Sequence, residues 1–476
     1  MATLAFLGAA RTVTGSQYLI ESRDSRVMID CGLFQGEKEL RLRNWAEPDF
    51  DVAGVRALVL THTHLDHIGR LPRLVKQGFR GRIYCTPPTV ELAEILRAQG
   101  DRFRDRNRAW LSYQQTGVLR AIQRCRTAEL GGHIDACPGC GYQTAISYNS
   151  CRNRHCPKCQ AQARQRWLSA RERELLGVPY FHVVFTLPHQ LIVLCQRNAA
   201  LLYDLLFRAS AATLLEVGAN PEHLGAQIGF LRILHTWGQN LLLHPHVHCV
   251  IPAGGLALDH SHWVHPRYAF LLPVKVLGEV FRGKFVEGLR RAYRRNKLHL
   301  DGPTATLQDP RRFAAFLRTL FGQDWVVYAK PAFGGPTQVL RYLGRYTHRV
   351  AISNHRLLAF DGERVTFRWK DYAHGNKHRK MSLAATEFLR RYVGHILPRG
   401  FVRIRQFGLL ASPCRTRSLT LARQLLAVQP EPREPGPASV SPPTAWRCPR
   451  CGGSMVIGRQ LTATEIASRC FYFDSS

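Results

Sequence analysis

The stretch that decides the fold is Leu243-His244-Pro245-His246-Val247-His248-Cys249-Val250-Ile251. It predicts a β-strand, and side chains at positions i and i+2 of a strand point to the same side. His246 and His248 therefore share one face and can hold one divalent ion between them. Taken alone, a His-x-His strand also fits a pair of packed or surface histidines, so the choice depends on a second element.

The second element is Arg341-Tyr342-Leu343-Gly344-Arg345-Tyr346-Thr347-His348-Arg349, which predicts a helix. Tyr342 and Tyr346 stand at i and i+4, a spacing that places both phenols on one helix face. Alone, this pattern also fits an amphipathic surface helix. Two metal-binding histidines together with two aligned tyrosines indicate phosphoryl transfer. Three arginines of the same helix are available to phosphates: Arg341, Arg345 and Arg349.

The chemistry of phosphoryl transfer explains why these residue types occur together. A tyrosine is a poor nucleophile at its ordinary pKa and needs a cation at the scissile phosphate. Mg²⁺ or Mn²⁺ can polarise the phosphoryl oxygen and neutralise the developing charge. Attack on DNA leaves a 5′-phosphotyrosine and a free 3′-OH, which conserves the bond energy for rejoining. A second tyrosine lets one site hold two DNA ends in alternation, as strand transfer requires.

The charge of the chain indicates a polyanionic partner. Lysine and arginine number 66 against 34 aspartates and glutamates, so the 476 residues carry a formal charge of +32. The basic residues are spread through the globular region, which favours a long nucleic-acid track with salt-dependent binding. We find no secretory signal and no apolar run near the ~20 residues needed to cross a bilayer. We therefore expect a cytoplasmic protein that acts on DNA and not on membranes.

A cysteine cluster predicts structural zinc. Cys137-x2-Cys140-x15-Cys156-x2-Cys159 has the spacing of a four-cysteine ribbon or knuckle pair. Interleaved pairing is equally compatible with the spacing, so the division of ligands stays open. The pair Cys448 and Cys451 has only Cys470 nearby, which favours an incomplete knuckle. A second site of the Cys2His2 type is available from Cys125, His133, Cys151 and His155.

The first part of the chain carries a different metal motif. The segment Thr61-His62-Thr63-His64-Leu65-Asp66-His67-Ile68-Gly69-Arg70-Leu71-Pro72 resembles the signature of the metallo-β-lactamase fold. Further stretches resemble its RNA-cleaving β-CASP branch, although Arg11 stands where glycine is commoner: Gly8-Ala9-Ala10, Val13-Thr14-Gly15-Ser16 and Asp30-Cys31-Gly32. The resemblance implies that His62, His64, Asp66 and His67 are metal ligands. It also implies a further histidine and a bridging aspartate downstream, which this sequence lacks. We expect a truncated segment that binds metal weakly and does not catalyse.

From about residue 97 to about residue 415 the chain resembles the two-tyrosine rolling-circle transposases of the insertion sequence ninety-one family, within the HUH endonuclease superfamily. Long stretches carry the resemblance in order: Asn149–Cys159, Phe181–Pro188, Leu234–Gln239, the histidine strand, Tyr342–Ser353 and Phe367–Tyr372. It implies that His246 and His248 bind the metal, that Tyr342 and Tyr346 are nucleophiles, and that the zinc-binding domain helps recognise the element's end. The superfamily adds a third polar ligand, for which Gln239 is the first candidate and His182 the second.

These patterns predict a multidomain α+β protein. We expect a truncated αββα metallo-β-lactamase fragment over residues 1–96 and a small zinc-binding, DNA-binding domain over 97–175. An HUH endonuclease domain with a central antiparallel sheet follows over 176–415, then a Pro-rich linker over 416–443 and a Cys-pair tail over 444–476. The expected function is transposition of an insertion sequence through single-stranded DNA at element ends and target. Two alternatives are a metal-dependent RNA hydrolase and a catalytically decayed DNA-binding fusion.

Overall fold

The chain divides between Val90 and Glu91 into two structural units. The boundary precedes the predicted one, because the helix Leu92–Arg106 belongs to the second unit and starts with a capping box of Glu91 and Glu94. The computed structural model describes residues 2–8, 14–22, 25–34, 38–61, 65–85, 91–144, 146–268, 270–330, 338, 350–371, 374–426, 448 and 450–470.

The first unit is built on one five-stranded sheet. Its strands, in both chain and spatial order, are β1 (Ala2–Phe6), β2 (Tyr18–Ser22), β3 (Ser25–Ile29), β4 (Val55–Leu60) and β5 (Arg82–Cys85). The pairs β1/β2 and β2/β3 are antiparallel, whereas β3/β4 and β4/β5 are parallel. Short helices span Lys38–Leu42, Leu65–Ile68 and Leu71–Lys76.

The sheet of the first unit buries only one of its faces. Leu58 and Met28 lie in a core with Leu74 of the helix Leu71–Lys76. Large apolar side chains of the same sheet stay exposed, among them Phe6 at 62% and Tyr84 at 52%. Exposed apolar patches of this kind usually mark a surface that another element covers. The described part of the unit therefore resembles one layer of a two-layer sandwich, because one face of its sheet is packed and apolar side chains are exposed elsewhere on it.

The second unit opens with two helices, Leu92–Arg106 and Tyr113–Gln123, followed by a small sheet. The second helix starts at a capping box, because Ser112 accepts from the backbone N–H of Gln115. The small sheet consists of β6 (Gly132–Ala136) and β7 (Ser147–Tyr148) from this region and one strand from the carboxyl end, β19 (Val456–Leu461). The predicted carboxyl-terminal tail is therefore not a separate segment, because β19 pairs antiparallel with β6.

A five-stranded antiparallel sheet forms the centre of the second unit, as the sequence predicts. Its spatial order is β14 (Val327–Lys330), β8 (Tyr180–Thr186), β11 (Leu243–Pro252), β10 (Gly229–Trp237) and β18 (Ile404–Gly408). Every neighbouring pair is antiparallel. The long helices Ala199–Ala219 and Val274–Arg294 lie in the connections β8–β10 and β11–β14.

The two faces of the central sheet have different chemistry. Val247, Cys249 and Ile251 are completely buried against the long helices Ala199–Ala219 and Val274–Arg294. The alternate positions of the same strand, His246 and His248, point to the opposite face, as the two-residue period of a strand requires. An apolar core thus holds the strand rigid while the other face presents imidazoles.

The remaining elements surround this sheet. Two further three-stranded sheets contain β9 (Ala226–Gln227), β12 (Gly255–Ala257) and β13 (Trp263–Val264), and β15 (Leu357–Phe360), β16 (Arg364–Asp371) and β17 (Lys377–Ala384). Further helices span Gln160–Glu172, Ile192–Arg197, Pro310–Phe321, Ala385–Val393, Arg415–Leu425 and Ala463–Cys470, with 3-10 turns at Ala128–Leu130, His189–Leu191, Gly302–Gln308 and Asn354–Arg356. Among the described helices, none is long and apolar enough to cross a lipid bilayer.

The predicted Pro-rich linker begins later than residue 416. The helix Arg415–Leu425 occupies its first part, because Leu419 and Ala422 pack into a core with Leu231 and Trp263. Residues 427–447, which hold the prolines, lie outside the described residues.

Gly408 provides a test of the contact between β18 and β10. It has φ of +60°, and an added Cβ would collide with the carbonyl oxygen of Ile228. We expect Gly408→Ala to lower the free energy of unfolding by about 3 kcal/mol or more, since a steric clash adds to the conformational strain.

Gly362 is the matched control, because its φ is +97° but an added Cβ would meet open space. Gly362→Ala should cost only about 1 kcal/mol of conformational strain. Urea denaturation of both variants measures the difference, and equal losses would contradict the contact.

Candidate functional site

Three histidines meet on the β10–β11 hairpin. His235 of β10 pairs directly with His246 of β11, and Ile233 pairs with His248. The possible ligand atoms of His235, His246 and His248 all lie within 4.8 Å of one another. Sequence reasoning missed His235 as a ligand, although it lies in the stretch Leu234–Gln239 that carries the family resemblance. The signal that could have found it is the hairpin register, which sets a histidine of one strand opposite a histidine of the next.

Burial keeps the imidazoles of His246 and His248 neutral. It lowers the pKa of His246 to about 4 and holds the pKa of His248 well below its ordinary value. The neighbouring histidines lower the pKa of His248 further. A neutral imidazole has one nitrogen lone pair, which is what a metal ligand requires.

Hydrogen bonds select the nitrogen that each imidazole can offer. His246 Nδ1 lies 2.6 Å from the carbonyl oxygen of His244, so this N–H donates and Nε2 has the lone pair. His248 Nδ1 lies 2.8 Å from Nε2 of His182, and the two rings are stacked with centroids 5.1 Å apart. His182, the second candidate for the third ligand, thus contacts a predicted ligand directly, and this contact can orient the His248 ring.

The turn between β10 and β11 is held by three donors from the segment after the tyrosines. Arg356 donates to the carbonyl oxygen of Gln239, Arg391 to that of Asn240 at 2.9 Å, and His395 Nε2 to that of Leu241 at 2.9 Å. Burial lowers the pKa of His395 to about 4, so it acts here as a neutral donor. No sequence motif singled out these residues, because their partners are backbone carbonyls distant in sequence.

The tyrosines and their arginines lie outside the described residues: Arg341, Tyr342, Arg345, Tyr346 and Arg349. The described chain leads to this segment from Lys330, which pairs with His182 in the sheet. The segment that carries the tyrosines therefore follows a strand whose last residue, Lys330, pairs with His182, and His182 contacts His248. Gln239 contributes the carbonyl described above, and its role as third ligand stays a prediction.

One four-cysteine cluster gathers Cys125, Cys151, Cys156 and Cys159. The Sγ atom of Cys159 lies 3.4 Å from that of Cys125 and 3.5 Å from that of Cys151. Contact with the Cys151 thiol lowers the pKa of Cys156 to about 5. Four thiols at such distances can close one tetrahedral zinc site.

A second cluster joins Cys137 and Cys140 to Cys448 and Cys451. The Sγ distances are 3.4 Å both for Cys137–Cys451 and for Cys140–Cys448. The predicted grouping of Cys137 and Cys140 with Cys156 and Cys159 is therefore wrong, and so is the incomplete knuckle at the carboxyl end. The pairing of β19 with β6 brings the distant pair into reach, which spacing along the chain could not show.

The two halves of this second cluster are built alike. Each has the sequence Cys-Pro-x-Cys-Gly, at 137–141 and at 448–452. In each half the glycine N–H donates to the carbonyl of the first cysteine at 2.9 Å, and the glycine has positive φ, +69° for Gly141 and +73° for Gly452. This repeated pentapeptide is the sequence signal that could have identified the partners.

The predicted Cys2His2 site also needs correction, because neither histidine joins a cysteine cluster. His155 is buried; its Nδ1 lies 3.1 Å from Oδ1 of Asn153, and its Nε2 accepts from the backbone N–H of Leu397 at 3.1 Å. Both ring nitrogens are thus engaged, Nδ1 within the zinc-binding domain (the zinc module below, residues 97–175 with the joined strand β19) and Nε2 with the segment after the helix Ala385–Val393. His133 lies 3.8 Å from the carboxylate of Asp135.

In the first unit, one predicted metal ligand can be placed. His67 Nδ1 lies 2.7 Å from Oδ2 of Asp30, which also accepts from Ser16 and Thr61. Burial raises the pKa of Asp30, but its hydrogen bonds lower the pKa more, and the net shift is downward. His62, His64 and the side chain of Asp66 lie outside the described residues, so the predicted metal binding there stays a prediction.

Three families match parts of the chain. Residues 229–418 match "Putative transposase", residues 95–187 match "Transposase zinc-binding domain" and residues 10–107 match "Metallo-beta-lactamase superfamily". The first match contains the three-histidine cluster and both tyrosines. The second contains the ligands of the first cysteine cluster but ends before Cys448.

Similar proteins divide in the same way. The chain is 48% identical over 357 residues to "Putative transposase y4qJ" of Sinorhizobium fredii, with 75% of this chain and 88% of the relative covered. It is 28% identical over 387 residues to the transposase for insertion sequence element IS801 of Pseudomonas savastanoi, with 76% and 89% covered. The first part is 53% identical over 89 residues to ribonuclease TTHA0252 of Thermus thermophilus, with 19% of this chain but only 20% of the relative covered.

The geometry of the three histidines predicts that His235 is a metal ligand and contributes as much to the affinity for a divalent ion as His246 and His248 do. We expect His235→Ala to weaken Mn²⁺ binding at least about tenfold, because one of three imidazole ligands is lost. Isothermal titration of the zinc-loaded protein measures this affinity. His265→Ala, an exposed histidine outside the cluster, should leave it unchanged. Unaltered Mn²⁺ affinity in His235→Ala would exclude this residue as a ligand.

Proposed function

Since this chain belongs to the IS91 family of insertion-sequence transposases, we propose that it cuts and rejoins single-stranded DNA through Tyr342 and Tyr346 in an HUH-type site. The observation that supports this most is the cluster of His235, His246 and His248 on a rigid antiparallel sheet. The sequence that follows the edge strand of this sheet carries both tyrosines. A nucleophile and a cation site are the two parts that the reaction needs.

The donor set of the cluster fits a transition-metal ion better than Mg²⁺. Imidazole nitrogen suits Mn²⁺ and its neighbours, whereas Mg²⁺ prefers oxygen ligands. When bound, such an ion polarises a phosphoryl oxygen and offsets the charge that develops in the transition state. The neutral state of His246 and His248 at pH 7 and the fixed Nδ1 of His246 prepare the site for this ion.

The proposed cleavage step uses the protein's own nucleophile. The phenolic oxygen of one tyrosine attacks the scissile phosphorus after its proton passes to solvent or a nearby base. A new P–O bond to tyrosine forms while the P–O3′ bond breaks, and the 3′ oxygen leaves as a hydroxyl after protonation. Attack of a 3′-OH on the phosphotyrosine reverses these events and rejoins the strand. Arg341, Arg345 and Arg349 would neutralise the flanking phosphates.

In this protein, two zinc ions would stabilise the fold. The two four-cysteine clusters have the ligand type and number of closed structural sites, which supply folding energy to small modules. Zinc thiolates require reduced cysteines, and the twelve described cysteines are not in disulfides. Reduced cysteines are typical of a reducing compartment, and we propose the cytoplasm, which also contains the DNA substrate.

We further propose that the first unit does not hydrolyse RNA. Its similarity covers about a fifth of the ribonuclease it resembles. Among the described residues of the unit, large apolar side chains such as Phe6 and Tyr84 also stay exposed, whereas a complete sandwich covers such side chains with a second sheet.

The proposed reaction predicts a covalent protein–DNA adduct. Wild-type protein incubated with Mn²⁺ and labelled single-stranded element-end DNA should give a band that resists heat and SDS. The Tyr342→Phe/Tyr346→Phe double variant should give none, because the attacking oxygens are absent. His246→Ala should reduce the band strongly through loss of the ion.

Each single tyrosine variant should still form an adduct if either phenol can attack first. Persistence of the adduct in the double variant would refute the assignment of the nucleophiles. DNA binding without any adduct, at full zinc content, would instead indicate a decayed transposase. RNA hydrolysis that is lost in His67→Ala and kept in the tyrosine variants would overturn the assignment of the first unit.

A further inference from the structure

A cleft of about 400 Å³ opens in the zinc module, away from the histidine cluster. Ligand sites in proteins commonly have volumes of this order. One wall comes from the loop that contains Asn149 and Ser150, and the other from the strand β19. The side chains that give the cleft its character are His133, Asn149, Ser150, Arg152, Ile457 and Gln460.

This cleft exists only because the carboxyl-terminal tail joins the module. Gln460 of β19 pairs with His133 of β6, and Leu461 pairs with Gly132. The tail is fixed at its start by Cys448 and Cys451 in the second cysteine cluster. The other wall is fixed by Cys151, which belongs to the first cluster and lines the cleft. Each wall of the cleft is thus tied to one of the two cysteine clusters.

The polar lining is held in place by hydrogen bonds. The backbone N–H of Asn149 donates to Gly131 at 3.0 Å, and its carbonyl accepts from the N–H of Arg126 at 3.1 Å. The side-chain Nδ2 of Asn149 donates to the carbonyl of Leu130 at 3.0 Å. An amide fixed in this way presents its oxygen with little loss of conformational entropy on binding.

Two exposed arginines flank this loop in a strained backbone conformation. Arg126 has φ of +57° and Arg152 has φ of +51°, in the left-handed region that favours glycine or asparagine. Residues kept in this region against their preference are concentrated at ligand-binding sites. Glycine would relieve the strain at both positions. Of the two arginines, Arg152 lines the cleft, so its guanidinium group can place positive charge there.

We propose that this tail-completed cleft binds one unpaired nucleotide of single-stranded DNA, with the phosphate at Arg152 and the base edge at Asn149 and Gln460. Carboxamide side chains pair with base edges, and arginine pairs with phosphate. Ile457, which is 60% exposed, offers an apolar surface to the base. The inference rests on the proposed function in taking single-stranded DNA as the substrate.

Fluorescence anisotropy tests this site. Full-length protein is titrated into short labelled oligonucleotides that each repeat one base: oligo-dA, oligo-dC and oligo-dT. Arg152→Gly removes the charge while relieving the backbone strain. It should weaken binding about five- to tenfold and lower the slope of log affinity against log salt by about 0.7. Gln460→Ala should reduce the differences among the three oligonucleotides, because the contact with the base edge is lost.

Two further variants complete the design. Arg311→Ala removes an equal charge from an exposed position on the helix Pro310–Phe321, and it should leave the order of preference among the oligonucleotides intact. Cys448→Ser/Cys451→Ser should lower bound zinc from two ions per chain to one and reproduce the binding loss of Arg152→Gly.

The outcomes separate the two proposals. If the wild-type protein binds none of the oligonucleotides, the proposed function fails as well. If it binds them and Arg152→Gly and Gln460→Ala bind with the same affinity, salt slope and preference, the cleft is not a nucleotide site and the proposed function stands. Retention of two zinc ions without Cys448 and Cys451 would refute the role of the tail.

Discussion

The alternation of side chains along β11 is the constraint on which the catalytic half of the protein depends. Odd-numbered residues from Val247 to Ile251 are fixed in an apolar core beneath two long helices. The even-numbered histidines are consequently held on the opposite face, where burial keeps them neutral. Moving the register of this strand by one residue would turn the imidazoles into the helical core and turn Val247, Cys249 and Ile251 out of it. The core and the candidate metal centre therefore specify the same register.

The donors that hold the β10–β11 turn add a second consequence. Arg356, Arg391 and His395 come from the segment after the tyrosines, yet their partners are carbonyls of the histidine hairpin. Before the tyrosine segment the chain is held by the pairing of Lys330 with His182 of β8, and after it by these three donors to the hairpin. The described residues on either side of the segment therefore both contact the sheet that carries the histidines.

Sequence reasoning succeeded where the information was local. The strand around His246 followed from local periodicity, whereas the transposase family and its antiparallel central sheet followed from a resemblance that short motifs carry. His235 was missed because its role comes from strand register, and Cys448 because its partners lie in another part of the chain. The helix Arg415–Leu425 was mistaken for linker because its few apolar residues are recognisable only against the core they join. Contacts distant in sequence account for each of these errors.

The closure of the second cysteine cluster has a consequence for how the protein is made. Cys448 is synthesised 308 residues after Cys140, its partner in the cluster. The module that they form together must wait until Cys451 has been translated, although most of its residues are translated long before, and contacts of such long range fold slowly. A nascent or prematurely terminated chain would carry the histidine hairpin and the tyrosines without the finished module. Synthesis through Cys451 is thereby a condition for assembling the finished module.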